Sequence, residues 1–196
     1  NVEVKIAADG EILCKGPNVM LGYYKDEEKT REAMEGGYFH TGDIGEIDAE
    51  GFLRITDRKK EMFKTSGGKY GAPQMVENTM KQSRFIDQIM VIGEGEKMPA
   101  ALIQPSFDFL RDWAALKGYN IGATNAEIAS NLQVIERIGE EIALGNKEFG
   151  NWEQVKRFEL TPDVWSIEDE HLTPTLKLKR KVILAKYPDL YDKIYR

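Results

Sequence analysis

The sequence predicts an α+β fold in which a small β-rich subdomain is followed by a domain with a short sheet flanked by helices. Residues 1–57 contain short apolar runs separated by glycine and proline turn signals, a pattern typical of strands and hairpins. Residues 58–196 instead alternate helical apolar stripes with branched apolar runs. The change falls at the charged segment Asp57–Lys64, so we expect a domain boundary at Asp57/Arg58 and a charged hinge near residues 57–60.

The first subdomain is predicted to contain strands and one short helix. Glu11–Lys15 is an alternating run between two turn signals, which predicts a strand. Residues 26–34 form a polar segment that ends at paired glycines, which predicts a short helix. The runs 44–47 and 52–55 flank a turn closed by Gly51, and this spacing predicts a β-hairpin.

The second domain begins with a helix and two strands. Pro73 suits the first position of a helix that continues to about Lys81, with Val76 and Met80 facing inward. Residues 88–92 and 100–103 are branched and apolar, and they predict two strands.

The remaining elements are mostly helical. A helix is predicted from about Phe107, with Leu110, Trp113 and Ala114 on one face. Thr124 and Glu127 have capping-box spacing, and they precede an apolar stripe of four or five helical turns, formed by Ile128, Leu132, Ile135, Ile138 and Ile142. Residues 156–160 favour a strand, and Pro188 breaks or restarts the last helix.

Composition excludes several functional classes. The 196 residues are 41% hydrophobic and 31% charged, which is typical of a globular protein. A net charge of -6 argues against nucleic acid as the main partner, because that partner requires a basic surface. No apolar run approaches the ~20 residues of a transmembrane helix.

The single cysteine, Cys14, forms no internal disulfide, so we expect a reducing compartment and a cytoplasmic protein. Because the sequence opens at Asn1 with neither a methionine nor a signal-peptide pattern, we expect the chain to begin inside a longer protein.

Three polar motifs carry the functional prediction. Tyr38–Asp43 ends in Thr-Gly-Asp, and Asp57–Gly68 contains an Asp-Arg pair, three lysines and two final glycines. Thr173–Arg180 reads Thr-Pro-Thr-Leu-Lys-Leu-Lys-Arg. In this order the motifs resemble the carboxy-terminal part of the acyl-adenylate-forming, AMP-binding enzymes, and the third is most similar to the long-chain fatty acyl-CoA synthetase branch.

The resemblance covers nearly the whole chain and implies a two-step ligase. A fatty acid and ATP form acyl-AMP and pyrophosphate, and the thiol of CoA then displaces AMP to give acyl-CoA. Residues 1–57 would be the last β subdomain of the large AMP-binding domain, and residues 58–196 would be a mobile α+β cap. The phosphate loop, the acyl tunnel and the ligands of Mg²⁺ are expected outside this sequence, so we expect the fragment alone to be inactive.

Asp43 and Arg58 are the predicted nucleotide-binding residues. A carboxylate on a tight turn can accept hydrogen bonds from both ribose hydroxyls, although such a residue commonly bonds its own backbone instead. A guanidinium suits a ribose or phosphate oxygen, and the alternative is a surface arginine paired with Asp57. The resemblance implies the functional role for both residues.

Three lysines have predicted roles. Charge alone indicates that the lysines of residues 59–64 are solvated, whereas the resemblance implies a hinge at Lys60 and a thioester-step role for Lys64. The Lys177 ammonium could offset the repulsion between a carboxylate and the α-phosphate of ATP. By composition alone, residues 177–181 form a basic patch able to contact anionic lipid or CoA phosphates, which leaves a peripheral membrane contact open. The superfamily commonly has glycine where this chain has Leu176.

Other motifs exclude alternatives or leave them open. Residues 65–69 lack phosphate-loop spacing and predict a hairpin turn. Gly71 departs from the branched residue usual in the family. His40 and His171 lack companions for a metal site. We therefore expect fatty acid, ATP and CoA as substrates, with Mg²⁺ bound elsewhere. Transfer of the acyl group to a carrier protein and a non-catalytic partner-binding module remain alternatives.

Overall fold

The computed structural model describes residues 1–196, except for the side chain of Tyr70. The chain forms two compact units, Asn1–Met62 and Phe63–Arg196. The predicted α+β fold is confirmed, since a β-rich unit precedes helices arranged around a small mixed sheet. The expected boundary at Asp57/Arg58 falls at the end of a strand that belongs to the first unit.

The first unit is built on an antiparallel sheet with the strand order β1-β2-β3-β4. Its strands are β1 (Glu3–Ile6), β2 (Glu11–Lys15), β3 (Phe39–Ile47) and β4 (Leu53–Arg58). One helix, α1 (Glu27–Ala33), begins where the Asp26 carboxylate accepts a hydrogen bond from the Lys29 backbone N–H at 3.0 Å. The predicted β2 strand and the β3–β4 hairpin are confirmed.

β3 is longer than predicted because the Thr-Gly-Asp motif lies inside it. We expected a tight turn at these residues, and that expectation was wrong. Gly42 adopts a φ of +73°, which glycine takes without steric cost, and the strand continues on both sides of it. The motif is therefore a local irregularity in a strand, held by its neighbours β2 and β4.

The second unit contains a small hairpin and a three-stranded sheet. The hairpin consists of β5 (Phe63–Lys64) and β6 (Tyr70–Gly71). The sheet has the order β7-β8-β9, formed by β7 (Ile86–Ile92), β8 (Ala100–Pro105) and β9 (Arg157–Leu160). β7 and β8 are antiparallel, whereas β8 and β9 are parallel. The three strands predicted in this domain are confirmed.

Six helices of the second unit surround this sheet in the part of the chain that the structure describes. They are α2 (Pro73–Met80), α3 (Phe107–Lys117), α4 (Asn125–Ser130), α5 (Leu132–Gly145), α6 (Arg180–Lys186) and α7 (Pro188–Tyr195). Prolines occupy the first turns of α2 and α7, as expected for a residue without an N–H. Pro188 therefore restarts the last helix.

Both faces of the three-stranded sheet are buried. Ile89 and Val91 of β7 join one hydrophobic cluster with residues of α2, α3 and α5, including Val76. Met90 and Ile92 join a second cluster with residues of α6 and α7. Successive strand residues point to opposite faces, so the continuous apolar run of β7 serves both clusters. No helix in the described part of the chain is long and apolar enough to cross a membrane.

The apolar stripe predicted as one helix forms two helices, α4 and α5. The Thr124–Glu127 capping box is confirmed at the start of α4. The Asn131 backbone is extended, and its side chain accepts hydrogen bonds from the N–H groups of Gln133 and Val134, which starts α5. Asparagine satisfies helix-start donors better than it continues a helix. As a result Leu132, predicted to be inward, is 80% exposed.

Candidate functional site

Asp43 and Arg58 are direct partners in the β3–β4 ladder. The Arg58 Nε lies 2.8 Å from the Asp43 Oδ1, while the two side chains remain 48% and 25% exposed. The alternative left open by the sequence, an ion pair between the Arg58 side chain and Asp57, is therefore wrong, because the Arg58 side chain pairs with Asp43. The Asp57 carboxylate instead accepts the Arg58 backbone N–H at 2.6 Å. A carboxylate and a guanidinium therefore stand side by side at an accessible edge, able to accept from and donate to the same ligand.

The backbone before Asp43 is held by Thr41. The Thr41 hydroxyl donates to the Ile12 carbonyl at 2.7 Å and accepts the Asp43 N–H at 3.1 Å. Together with the positive φ of Gly42, these bonds fix the direction in which the Asp43 side chain leaves the strand.

A buried glutamate that the sequence analysis treated only as part of a strand lies beneath this motif. Glu11 Oε1 accepts the Gly42 N–H at 2.9 Å, and Glu11 Oε2 lies 2.8 Å from Lys59 Nζ and 2.9 Å from His40 Nδ1. Burial raises the pKa of Glu11, but the hydrogen bonds from Lys59, His40 and Gly42 outweigh burial and leave that pKa below its ordinary value. The sequence held one signal that could have predicted this buried residue, namely a charged side chain at the start of an apolar strand.

Lys59 is anchored, contrary to the expectation that this lysine run is solvated. Its N–H donates to the Gly42 carbonyl at 2.9 Å, and its Nζ lies 2.7 Å from Asp9 Oδ2 as well as close to Glu11. The hydrogen bonds to Asp9 and Glu11 raise the pKa of Lys59. Lys60, the predicted hinge residue, is exposed in a turn that the Glu61 N–H closes by donating to the Arg58 carbonyl at 2.8 Å.

Lys64 is an exposed residue of the short β5 strand in the second unit. The following hairpin turn is confirmed, because the Thr65 N–H donates to the Lys69 carbonyl at 2.9 Å. The hairpin is joined to the loop after β7, since the Gly95 N–H donates to the Lys64 carbonyl at 2.9 Å. Gly71 is explained by packing: a Cβ there would lie 3.2 Å from the Phe63 ring.

Lys177 lies in a closed loop whose backbone is held by Thr173. The Thr173 N–H donates to the Lys177 carbonyl at 2.8 Å, and the Lys177 N–H donates to the Thr173 hydroxyl at 3.0 Å. An antiparallel bridge between Leu172 and Leu178 closes the base of the loop. No side chain described in the structure hydrogen-bonds or pairs with the Lys177 ammonium. The loop thus presents a positive charge on a defined backbone.

Leu176 adopts the conformation that glycine prefers. Its φ is +60°, in the left-handed region that L-residues with a side chain rarely occupy. In the family that the motifs resemble, glycine is common at this position. The loop therefore keeps the backbone shape that glycine would give, at a steric cost that its hydrogen bonds to Thr173 offset.

The other basic residues after Lys177 are mostly engaged. Arg180 Nη2 lies 2.7 and 2.8 Å from the two oxygens of Glu77, and Arg180 Nη1 donates to the Val91 carbonyl at 3.0 Å. Lys179 pairs with Glu170 at 3.2 Å. Arg180 therefore anchors the loop to α2 and β7, and it is not part of a free basic patch.

A polar network that includes the buried His171 lies at the base of the Lys177 loop. The Lys179 N–H donates to the His171 carbonyl at 2.8 Å, and His171 Nε2 lies 3.0 Å from Lys186 Nζ. Lys186 pairs with Asp163 at 3.1 Å, and Asp163 accepts the Tyr187 hydroxyl at 2.7 Å. Burial and the Lys186 charge lower the pKa of His171, which therefore favours the neutral imidazole.

The fold joins some predicted site residues and separates others. Asp43 and Arg58 meet in the first unit, whereas Lys64 lies in strand β5 and Lys177 lies in a separate loop of the second unit. Among the described residues, no group of three or more His, Cys, Asp or Glu side chains is placed to hold a metal ion. The roles of these residues remain predictions.

The chain is similar to known proteins over nearly its whole length. Residues 61–196 match the family model described as the AMP-binding enzyme C-terminal domain. The chain is 40% identical over 193 residues to a putative fatty-acid–CoA ligase of Mycobacterium tuberculosis, covering 97% of this chain and 34% of that protein. It is 38% identical over 191 residues to long-chain-fatty-acid–CoA ligase 6 of Mus musculus, covering 95% of this chain and 27% of that protein.

A solved structure has the same fold. The A-PCP didomain of carboxylic acid reductase from Segniliparus rugosus, in complex with AMP, superposes with a TM-score of 0.75 at 22% identity, covering 98% of this chain and 27% of that one. The chain spans about a third of the length of the curated relatives that it matches. With the family match covering more than half of its residues, the chain belongs to the AMP-binding enzymes, as a carboxy-terminal region of one.

Proposed function

We propose that this chain is the carboxy-terminal region of an ATP-dependent long-chain fatty acid–CoA ligase of the cytoplasm. Relatives of 34–40% identity carry the names of fatty-acid–CoA ligases. The observation that carries the proposal is the Lys177 loop, in which a braced backbone presents an ammonium that no described side chain pairs with. Such a preorganised charge is suited to a reaction between two anions.

In the first step, a carboxylate oxygen of the fatty acid attacks the α-phosphorus of ATP, and pyrophosphate leaves. Lys177 offsets the repulsion between the carboxylate and the phosphate and stabilises the negative charge of the transition state. Asp43 accepts hydrogen bonds from the ribose hydroxyls, and Arg58 donates to a ribose or phosphate oxygen beside it. Mg²⁺, when bound with ATP, would neutralise phosphate charge, and its ligands are assigned to the remainder of the enzyme.

In the second step, the CoA sulfur attacks the acyl carbonyl, the thiol proton is lost, and AMP leaves with the bonding electrons. Rotation about Lys60 separates the two steps, and Lys64 serves the thioester step. The exposed turn at Lys60, which follows the anchored Lys59, supports this placement of the hinge. CoA is the preferred acceptor because the relatives named above are CoA ligases.

An acceptor competition tests this function. A full-length enzyme that carries this sequence at its carboxyl end receives a long-chain fatty acid, ATP and Mg²⁺, with CoA and a phosphopantetheinyl carrier protein present together. We expect acyl-CoA, AMP and pyrophosphate in equal amounts, and no product from the 196-residue chain alone. Preferential loading of the carrier would overturn the choice of acceptor, and absence of AMP formation with every acyl acid would overturn the ligase proposal.

A further inference from the structure

We propose that Glu11 is a positioning residue that holds both the ribose-binding segment and the fixed end of the hinge. The inference rests on the proposed function, because it assigns Glu11 to the support of Asp43 and Lys60. Glu11 lies in β2, outside the Tyr38–Asp43 and Asp57–Gly68 motifs, and it reaches both of these motifs through its two carboxylate oxygens.

The Glu11 carboxylate is a buried, multiply bonded anion. Its side chain is only 4% exposed, and its contacts are the Gly42 N–H, Lys59 Nζ and His40 Nδ1, all between 2.8 and 2.9 Å. A buried carboxylate is costly unless it is paired and hydrogen-bonded, and these donors satisfy both oxygens. Removing the charge therefore affects every group that the carboxylate holds.

The contact between Glu11 and Gly42 controls the direction of the Asp43 side chain. Gly42 is held at both of its backbone groups, because its N–H donates to Glu11 and its carbonyl accepts the Lys59 N–H. Gly42 has an unusual φ of +73°, and only glycine adopts this conformation freely. Without Glu11, the flexible glycine would no longer fix the orientation of the next residue, Asp43.

The contact between Glu11 and Lys59 fixes the residue that precedes the hinge. Lys59 is bound to Gly42 through its backbone and to Glu11 and Asp9 through its ammonium. The exposed Lys60 follows immediately. Rotation of the following domain therefore begins beyond Lys59, and the nucleotide-binding segment does not move with it.

A glutamine at position 11 separates this proposal from a general structural role. The glutamine side chain has nearly the same shape, but its amide has one accepting oxygen in place of two. If the side chain keeps the position of Glu11, that oxygen faces either Gly42 or Lys59, and the amide NH2, which is a donor, faces the other. Glu11→Gln should therefore lose part of the support without creating a cavity.

The readout is discrimination between ATP and 2′-deoxy-ATP in the pyrophosphate-forming half-reaction of the full-length enzyme. In the parent enzyme Asp43 accepts from the 2′-hydroxyl, so ATP should be preferred, and Asp43→Ala should abolish that preference. We expect Glu11→Gln to raise the KM for ATP by about tenfold and to lose most of the preference, with kcat within about twofold. A loss of fold would instead lower kcat for both nucleotides equally.

Two further variants separate the effect of the Gly42 contact from the effect of the Lys59 contact. Glu46→Gln removes a carboxylate from the β3–β4 hairpin, where Glu46 is 3.9 Å from Arg54 and is not bonded to Gly42 or Lys59, so ribose preference should remain. Asp9→Asn removes one partner of Lys59 and none of Gly42, so it should slow the second half-reaction more than it changes ribose preference. If Glu11→Gln does not fold, Glu11→Asp keeps the charge, withdraws both oxygens, and should show the same loss of preference.

The outcomes distinguish the two proposals. If Asp43→Ala keeps the preference for ATP, the ribose assignment of the proposed function is wrong. If Asp43→Ala loses the preference while a folded Glu11 variant keeps it, only the role of Glu11 is wrong. Loss of preference in both variants, with Glu46→Gln unchanged, supports both.

Discussion

Arg180 and Glu77 form a two-point ion pair that joins the end of the Lys177 loop to helix α2. The guanidinium contacts both carboxylate oxygens, and the same carboxylate accepts the Val91 N–H at 2.7 Å. Glu77 is 7% exposed on its side chain and Arg180 is 24% exposed. The pair is therefore largely buried, and it joins the first residue of α6 to α2.

We expect Glu77→Gln to lower the free energy of unfolding of the second unit by about 3 kcal/mol, because the variant removes the charged partner of a largely buried ion pair. The matched control is Asp192→Asn, which removes the surface pair between Asp192 and Arg196. It should change the free energy by less than about 0.5 kcal/mol. Urea unfolding of both variants measures the difference, and equal effects would show that the Glu77 pair contributes no more than a surface pair.

Lys177 and Lys179 should differ sharply in the adenylation step. Lys177→Ala removes the unpaired ammonium and should slow acyl-AMP formation by ~10²–10³, while supplied acyl-AMP and CoA still give acyl-CoA. Lys179, which pairs with Glu170, is the control, and Lys179→Ala should have a mild, salt-sensitive effect. Lys64→Ala should affect the thioester step instead. Separate assays of acyl-AMP formation and of thioester formation measure these differences. Equal adenylation rates for the Lys177 and Lys179 variants would contradict the catalytic role of Lys177.

Proline at position 60 should separate the half-reactions if the locked state is the adenylating one. Proline fixes φ near -65°, and it also restricts the preceding residue, Lys59, which is already anchored. We expect Lys60→Pro to form acyl-AMP and to stall before acyl-CoA, whereas Lys60→Ala, which leaves the backbone free, should complete both steps. Equal loss of both half-reactions in a folded proline variant would count against a hinge at this residue.

His171 should make stability depend on pH. Because its folded pKa is lowered from the ordinary 6.5, the unfolded chain takes up a proton below that pH while the folded chain resists it. The contribution is fully present above pH 6.5 and is lost as the pH falls from 6.5 to the folded pKa. His171→Gln should flatten this slope. Melting temperatures between about pH 7.5 and 5.5 measure it, and identical slopes in the two proteins would contradict the assignment.

Local sequence signals predicted most elements correctly. Pro73 begins α2, Thr124 and Glu127 form their capping box, and Gly51 follows the turn of the β3–β4 hairpin. These features depend on residues close together in the chain, so the sequence contains the interactions that decide them. The break at Asn131 was missed because the apolar periodicity continued across it, while the asparagine side chain satisfied the start of a new helix.

The motifs around Asp43, Arg58 and Lys177 were visible in the sequence, and so were the α+β class and the family resemblance. Only the tertiary structure decided that Asp43 faces Arg58, that Glu11 and Lys59 are bonded to each other, and that Arg180 is an anchor rather than part of a basic patch. Those contacts join residues separated by 15 to 103 positions. Side-chain charge alone shows that such a residue can form an ion pair, but burial and partner identity depend on which distant strands and helices the fold places beside it.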